Sequence, residues 1–287
     1  MGHQQQTYYR QQVIFKQEAK LIITDKIRVE QSILFAKRKA MFEKILFKKF
    51  YKALNEVSYK AINAGNTNVI ELSVLYQAYI DSYLVIFKRY SKQASDMVLK
   101  ADNPTINISF FSQYFVNAVK SHLLSTAGER IKNVDDNTKQ KVRDILDKNS
   151  RSGSAKSAYQ MRREIGIFNK SRAMLIARTE SLMAMNHVAH ESAIKEGVTT
   201  KAWLHTIGRS KNYREEHLAL NEKPIPIKDK FYVNGVYMNF PGDPNGGAVN
   251  NCNCRCSILY GYGDATAPNQ DNLFQNFIAG MVINQIL

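Results

Sequence analysis

The chain has 287 residues, 44% of them hydrophobic, enough to bury a core in one large domain or two ordinary ones. Lys and Arg number 40 against 25 Asp and Glu, and the formal charge of +15 points to nucleic acid, anionic lipid or an acidic protein surface as partner, or to a solvated basic exterior with no single partner. Three cysteines exclude a complete intrachain disulfide framework, the N-terminus lacks the apolar core of a signal peptide, and no uncharged apolar run reaches the roughly 18 residues of a transmembrane helix, so the thiols are expected to be free or metal-bound.

Apolar residues at helical spacing from Gln11 to Asn63, with no Pro or Gly between, predict a long first helix. Ala64-Gly65-Asn66 is a stop of the C-cap type, because Gly and Asn tolerate the left-handed conformation. A second helix is expected over Val69–Leu99, broken by Asp102-Asn103-Pro104. A third spans Phe110–Lys132, and Asp135 and Asp136 are placed to cap a fourth that carries Val142, Ile145 and Leu146 on one face. Asn149–Ser154 reads as a linker, followed by a short helix over Ala155–Ile165 and a longer one over Lys170–Glu196 that ends at Gly197.

After Gly197 the texture changes. Thr200–Ile207 alternates like a strand and holds the only Trp, Trp203, and Asn212–Leu220 reads as a short helix. Phe231–Phe240 reads as a hairpin, since Asn234-Gly235 suits a type I′ turn. Pro241–Asn251 is expected as loop, with Cys254–Tyr260 returning as a third strand. The fold class is therefore α+β: an elongated, mainly α arm over 1–150, a small α+β module with a β-hairpin and short antiparallel strands over 151–262, and an apolar tail over 263–287.

Chemistry concentrates in the module. Cys252, Cys254 and Cys256 are spaced two apart, so on a strand their thiols share one side. With His217 from the preceding helix they make a candidate zinc site, although the spacing is not that of a zinc finger; the alternative is a row of small buried thiols. His217 oriented by Asp243 could serve as a general base, or both could pin the loop to the helix and backbone. Gly242–Gly247 lacks the Gly-Lys-Ser/Thr of a P-loop, and its glycines fit a long turn. Glu180 is placed to salt-bridge Arg209 or Arg214 and lock its helix to the module. Lys37-Arg38-Lys39 and Lys48-Lys49-Phe50-Tyr51-Lys52 interleave charge with aromatic rings, as nucleic-acid surfaces do, but consecutive charges also fan around a solvated helix. The tail Leu273–Leu287 is apolar and uncharged in its side chains, suited to packing back on the body or to docking in a partner's groove.

Arg178-Thr179-Glu180, Trp203, Arg214, His217, Pro241-Gly242-Asp243 and Asn253-Cys254-Arg255-Cys256 occur in an order that resembles the Mu F-like phage head morphogenesis family, the minor head or minor capsid proteins, over roughly Ala155–Tyr260. The resemblance implies a structural virion protein in the phage head near the portal vertex. It would be assembled in the host cytoplasm with the portal, major capsid or scaffold protein, and would support DNA packaging or ejection. The family often carries an Asp where Ile207 or Gly208 stands, and Asp-Gly where Asn221-Glu222 stands, and its two cysteines match Cys254 and Cys256, leaving Cys252 extra. No catalytic residue is implied. A metal-dependent nuclease or hydrolase built on His217 and Asp243 is the alternative reading, and a free DNA-binding module a further one.

Overall fold

The computed structural model describes the backbone of residues 3–99, 127–152, 154–195, 197–205 and 213–261, with side chains from residue 33 onward except 88, 91–99, 195 and 261. The protein is mostly α, with short antiparallel strands toward its C-terminal part, the α+β class expected. Helix α1 (His3–Ala64) is about 90 Å long and begins well before Gln11. It stops where expected. Gly65 takes φ +68 and its amide bonds the Ile62 carbonyl, while Asn66 N–H reaches Ala61 O at 3.2 Å.

Helix α2 (Leu72–Leu99) returns along α1, followed among the described residues by α3 (Gly128–Ser150) and α4 (Ala158–Lys195). Phe42, Leu46, Phe50 and Leu54 of α1, Leu75, Tyr79, Tyr83 and Phe87 of α2, Ile131 and Val134 of α3, and Ala173, Ala177 and Met185 of α4 form one core. A second cluster lies at the far end of the bundle, where Val57, Ala61 and Ile62 meet Val142, Ile145, Met161 and Ile165.

Two helical expectations are corrected here. Asp135 and Asp136 do not cap a helix: α3 starts at Gly128, and Asp135 is buried inside it, paired with Lys139 at 2.5 Å. The two helices expected over 155–196 are one continuous helix, α4. Asn169, between the two expected helices, is buried there, and its amide bonds Asn55 Oδ1 at 2.9 Å and Ser58 Oγ at 3.3 Å across the α1 interface. Gly166 lets α1 come close, since a Cβ there would meet the Tyr59 hydroxyl at 3.3 Å. The end of α3 is tied to the approach of α4 by Asn149 Oδ1 accepting the Lys156 amide at 2.5 Å. Of the third helix expected over Phe110–Lys132, residues 110–126 lie outside the described part, as do Arg209, Asn212 and the tail 263–287.

The C-terminal half of α4 carries the small sheet. Strand β1 (Thr200–Leu204) pairs antiparallel with β2 (Pro224–Pro226) on one side and β5 (Ser257–Gly261) on the other. Two prolines on β2 are compatible with an edge position, where missing amides cost no ladder bonds. The expected hairpin forms between β3 (Phe231–Val233) and β4 (Val236–Met238), with Asn234 and Gly235 at φ +48 and +85. Residues 254–260, expected as its third strand, instead deliver β5 to β1, where Ile258 pairs with the buried Trp203. Within 241–251, expected as loop, Pro244–Gly246 form a 3₁₀ turn and Gly247–Asn251 a short helix, α6. Leu182 of α4, Trp203, Phe231, Val233, Met238, Cys254 and Cys256 make the third core cluster, and Phe35 of α1 packs against both it and the main helical core.

The basic clusters of α1 do not present one surface. Lys39 is buried and paired with Glu43, Arg38 lies over the Tyr90 ring at 5.9 Å, and Lys49 faces Asp81 at 3.8 Å. Phe50 is buried in the core and Tyr51 stacks on Phe47 at 5.6 Å, so these rings serve packing and not base stacking. Among the described residues, no helix is long and apolar enough to cross a membrane.

Candidate functional site

The motif residues meet around one stretch of α4. Thr179 faces the cysteine loop, and its Oγ1 accepts the Asn253 amide at 3.2 Å. Asn186, two turns on, donates its amide to Pro241 O at 2.8 Å and to Cys256 O at 3.1 Å, so one buried side chain clamps two loops to the helix. Gly242 lies against the same helix at φ +87, where a Cβ would meet Met183 Cα at 3.1 Å. Close approach and left-handed backbone together require glycine there.

Asp243 is buried and committed to its own loop. Its Oδ2 accepts from Asn239 N at 2.7 Å and Asn239 Nδ2 at 2.9 Å, its Oδ1 accepts the Asn245 amide at 3.0 Å, and its carbonyl accepts Asn251 Nδ2 at 2.6 Å. It is an N-cap and loop organiser. The structure does not bring it to His217, whose ring lies among Cys254, Cys256 and Trp203.

Helix α5 (Glu215–Ala219) positions His217. Arg214, at its N-cap position, fastens α5 to the opposite loop through Nε to Val249 O at 2.7 Å and through its other guanidinium nitrogen to Cys252 O at 2.9 Å. His217 is fully buried, edge-on to Trp203 at 5.0 Å, and its Nδ1 lies 3.6 Å from Cys254 Sγ and 3.6 Å from Cys256 Sγ. The three donor atoms lie within 4.8 Å of one another. A hydrogen bond from Cys256 holds the Cys254 thiol well below its ordinary value, against burial, and His217 adds to the effect.

Cys252 does not join this group. The cysteines precede β5 instead of lying on it, and Asn253 takes φ +57, which breaks the strand alternation between Cys252 and Cys254. Cys252 is half-exposed on the other side, within electrostatic reach of Tyr79 in α2. Asn253 is thus required as the left-handed residue of the turn, while Arg255 points outward from the loop that buries its two neighbours.

Glu180 meets neither Arg214 nor any other described residue of the strand module. Its carboxylate is gripped from the helical side by Arg130 Nε at 3.1 Å and Nη2 at 3.2 Å, and by the Tyr83 hydroxyl at 2.6 Å. Burial lowers the Arg130 guanidinium, but Glu180 and Tyr83 outweigh it and hold it above its ordinary value. Arg178, one residue before Thr179, is half-buried on α4. In the position where the family pattern has Asp-Gly, Asn221 Oδ1 accepts the His205 amide at 2.7 Å, and Glu222 takes φ +60 while its amide bonds Trp203 O at 2.7 Å. Asn supplies the acceptor that an Asp would, and Glu222 adopts a backbone state that glycine reaches at lower cost.

Asn186, Arg130, Tyr83 and His205 escaped the sequence reading. Asn186 and Tyr83 carry a signal in hindsight, a polar group on the buried face of a strongly helical segment. Behind the sheet a second polar group is buried: Lys201 donates to Asn239 O at 2.9 Å, and burial lowers its ammonium to about 8 against the pull of Asp243 and Asp229. His190 packs on Phe240 at 5.2 Å, and burial, Lys201 and His187 lower it from 6.5 to about 3. The folded state therefore keeps His190 neutral while the unfolded chain protonates it, so between those values the unfolded state binds more protons. Stability from this group is intact above pH 6.5 and falls as pH drops toward 3, by at most about 1.4 kcal/mol per pH unit. Urea midpoints are expected to fall between pH 6.5 and 4, with a shallower slope in His190→Phe; equal slopes would place the acid sensitivity elsewhere.

Residues 129–259 match a family model described as Phage Mu protein F like protein. The match starts within α3, upstream of Ala155, and so takes in Arg130 as well as Glu180. The chain is also 27% identical over 171 residues to the uncharacterized protein YqbB of Bacillus subtilis (strain 168), covering 58% of this chain and 55% of that protein. It thus spans about half the length of that relative. No solved structure matches. The segment from Glu129 to Leu259, with Thr179, Asn186, Arg214 and Asp243 tying its loops to α4, is the part of the chain that resembles the Phage Mu protein F like family.

Proposed function

We propose that the chain is a minor head protein of a phage, associated with the portal vertex, and that it supports head assembly and DNA packaging or ejection. The observation that carries this reading is the family match over residues 129–259, a phage head morphogenesis family. The formal charge of +15 suits a protein that works beside DNA or acidic head proteins. In this reading the arm 1–150 and the tail 263–287 make the contacts to portal, major capsid or scaffold protein, and the module 151–262 is the folded anchor between them. Its polar motif residues are spent on internal bonds: Asp243 on Asn239 and Asn245, Arg214 on two carbonyls, Glu180 on Arg130. That pattern suits a structural role better than a hydrolytic site built on His217 and Asp243.

The test is quantitative mass spectrometry of portal complexes and particles purified from phage-infected cells at rising salt. The protein is expected at a fixed ratio to the portal that salt does not remove. Absence from both, with binding to free DNA that collapses as salt rises, would replace this reading with the DNA-binding one.

A further inference from the structure

We infer that His217 Nδ1, Cys254 Sγ and Cys256 Sγ hold one tetrahedral, thiophilic divalent cation of the zinc class, with His205 as the fourth donor. The argument is geometric. Zinc binds thiolate at about 2.3 Å and imidazole at about 2.0–2.1 Å, so a tetrahedral centre sets sulfur and nitrogen about 3.5–3.6 Å apart. Both sulfurs lie 3.6 Å from the same nitrogen, and all three donor atoms fall within 4.8 Å of one another. One imidazole nitrogen carries either a single proton or a single lone pair, so it cannot direct a good hydrogen bond at two thiols at once. A cation between them accounts for both distances.

The surroundings are built for such an ion. All three donors are buried, in a cluster walled by Trp203, Leu182 and Phe231. The turn through Asn253 at φ +57 brings the two sulfurs of a C-x-C spacing together. Two thiolates balance a divalent cation, so the filled site is neutral and fits an apolar pocket better than bare thiolates do.

His205 supplies the independent observation. Its Nδ1 is buried and finds no hydrogen-bond partner among the described residues. Cys254 and His217 act on this ring electrostatically, which sets it beside the three-donor group and not within it, so that filling the fourth position takes a swing of the His205 side chain. The His205 amide is fixed by Asn221 Oδ1 at 2.7 Å and its ring is flanked by Tyr213 at 5.9 Å, so the residue is anchored just past the end of β1. Two imidazoles and two thiolates close the tetrahedron and leave no open position, which makes the ion a structural cross-link between β1, α5 and the cysteine loop.

The experiment is metal analysis and cobalt substitution on the full chain purified without chelators. Wild type and Cys252→Ser are expected to carry one zinc per chain. Their cobalt forms should show thiolate-to-cobalt charge transfer in the near ultraviolet and the intense visible bands of a tetrahedral centre. Cys254→Ser and Cys256→Ser should lose both signals, and His205→Ala should bind the ion about ten-fold more weakly or worse in competition with a chromophoric chelator. A metal-free wild type whose cobalt form shows no thiolate band would overturn the site, whether or not the cysteine variants fold. Loss of metal in Cys252→Ser would overturn the ligand assignment, and unchanged affinity in His205→Ala would remove the fourth donor.

Discussion

Glu180→Ala is expected to cost about 3–5 kcal/mol of stability, among the largest single-residue effects in the helical part of the protein. Glu180 is 3% exposed and receives both prongs of the Arg130 guanidinium together with the Tyr83 hydroxyl. Truncation leaves a largely buried cation without its counter-charge and a buried phenol without its acceptor, each of which carries a desolvation penalty. Because Tyr83 lies on α2, Arg130 on α3 and Glu180 on α4, the loss loosens three helices at one point. The measurement is the urea midpoint by far-UV circular dichroism, with Glu180→Gln as the shape-preserving comparison. Gln still accepts from Tyr83 but offers no charge to Arg130, so it should fall between wild type and Ala. A loss under about 1 kcal/mol in Glu180→Ala would mean that Arg130 swings to water and that the network adds little. The double change Glu180→Leu with Arg130→Met is expected to recover much of the loss, since an apolar pair of similar volume avoids both desolvation penalties.

The same network marks what sequence reasoning could and could not reach. Local signals carried their information well: Asn234-Gly235 has room for only one kind of hairpin, and Gly65 with Asn66 ends α1 where such residues end helices. The gathering of His217 with Cys254 and Cys256 was legible from residue type, and its geometry was not. Cys252 drops out because Asn253 inverts the turn, a backbone choice with no counterpart in spacing alone. Glu180 meets Arg130 and not Arg214, because its partner lies 50 residues upstream and nothing local connects them. The intrinsic preference of Asp135 points to a cap, but it sits buried inside α3 and pairs with Lys139 one turn on, while Asn169 bonds Asn55 and Ser58 within the continuous α4. The partner of β5 was also out of reach, since strand order in so small a sheet is set by the burial of one residue.

That residue is Trp203, and Trp203→Ala is expected to cost about 3–5 kcal/mol, concentrated in the strand module. Trp203 is fully buried on the central strand β1, edge-on to Phe231 at 5.3 Å and to His217 at 5.0 Å, and its neighbours in the cluster come from α4, the hairpin and the cysteine loop. Each is too small to hold itself: the strands run three to five residues and α5 only five. Removing the ring therefore leaves a cavity that short elements can close only by abandoning their register. Trp203→Phe keeps an apolar ring and should lose less than half as much, which separates volume from mere hydrophobicity. Amide hydrogen exchange is the informative readout, because the variant lacks the only tryptophan and fluorescence is lost with it. Protection is expected to collapse for β1, β5 and the hairpin while α1 and α2 stay protected, since their core is separate from this cluster. Uniform loss of protection across α1 and α2 would show instead that the strand module and the helical bundle unfold as one cooperative unit, with Phe35 and α4 carrying the coupling.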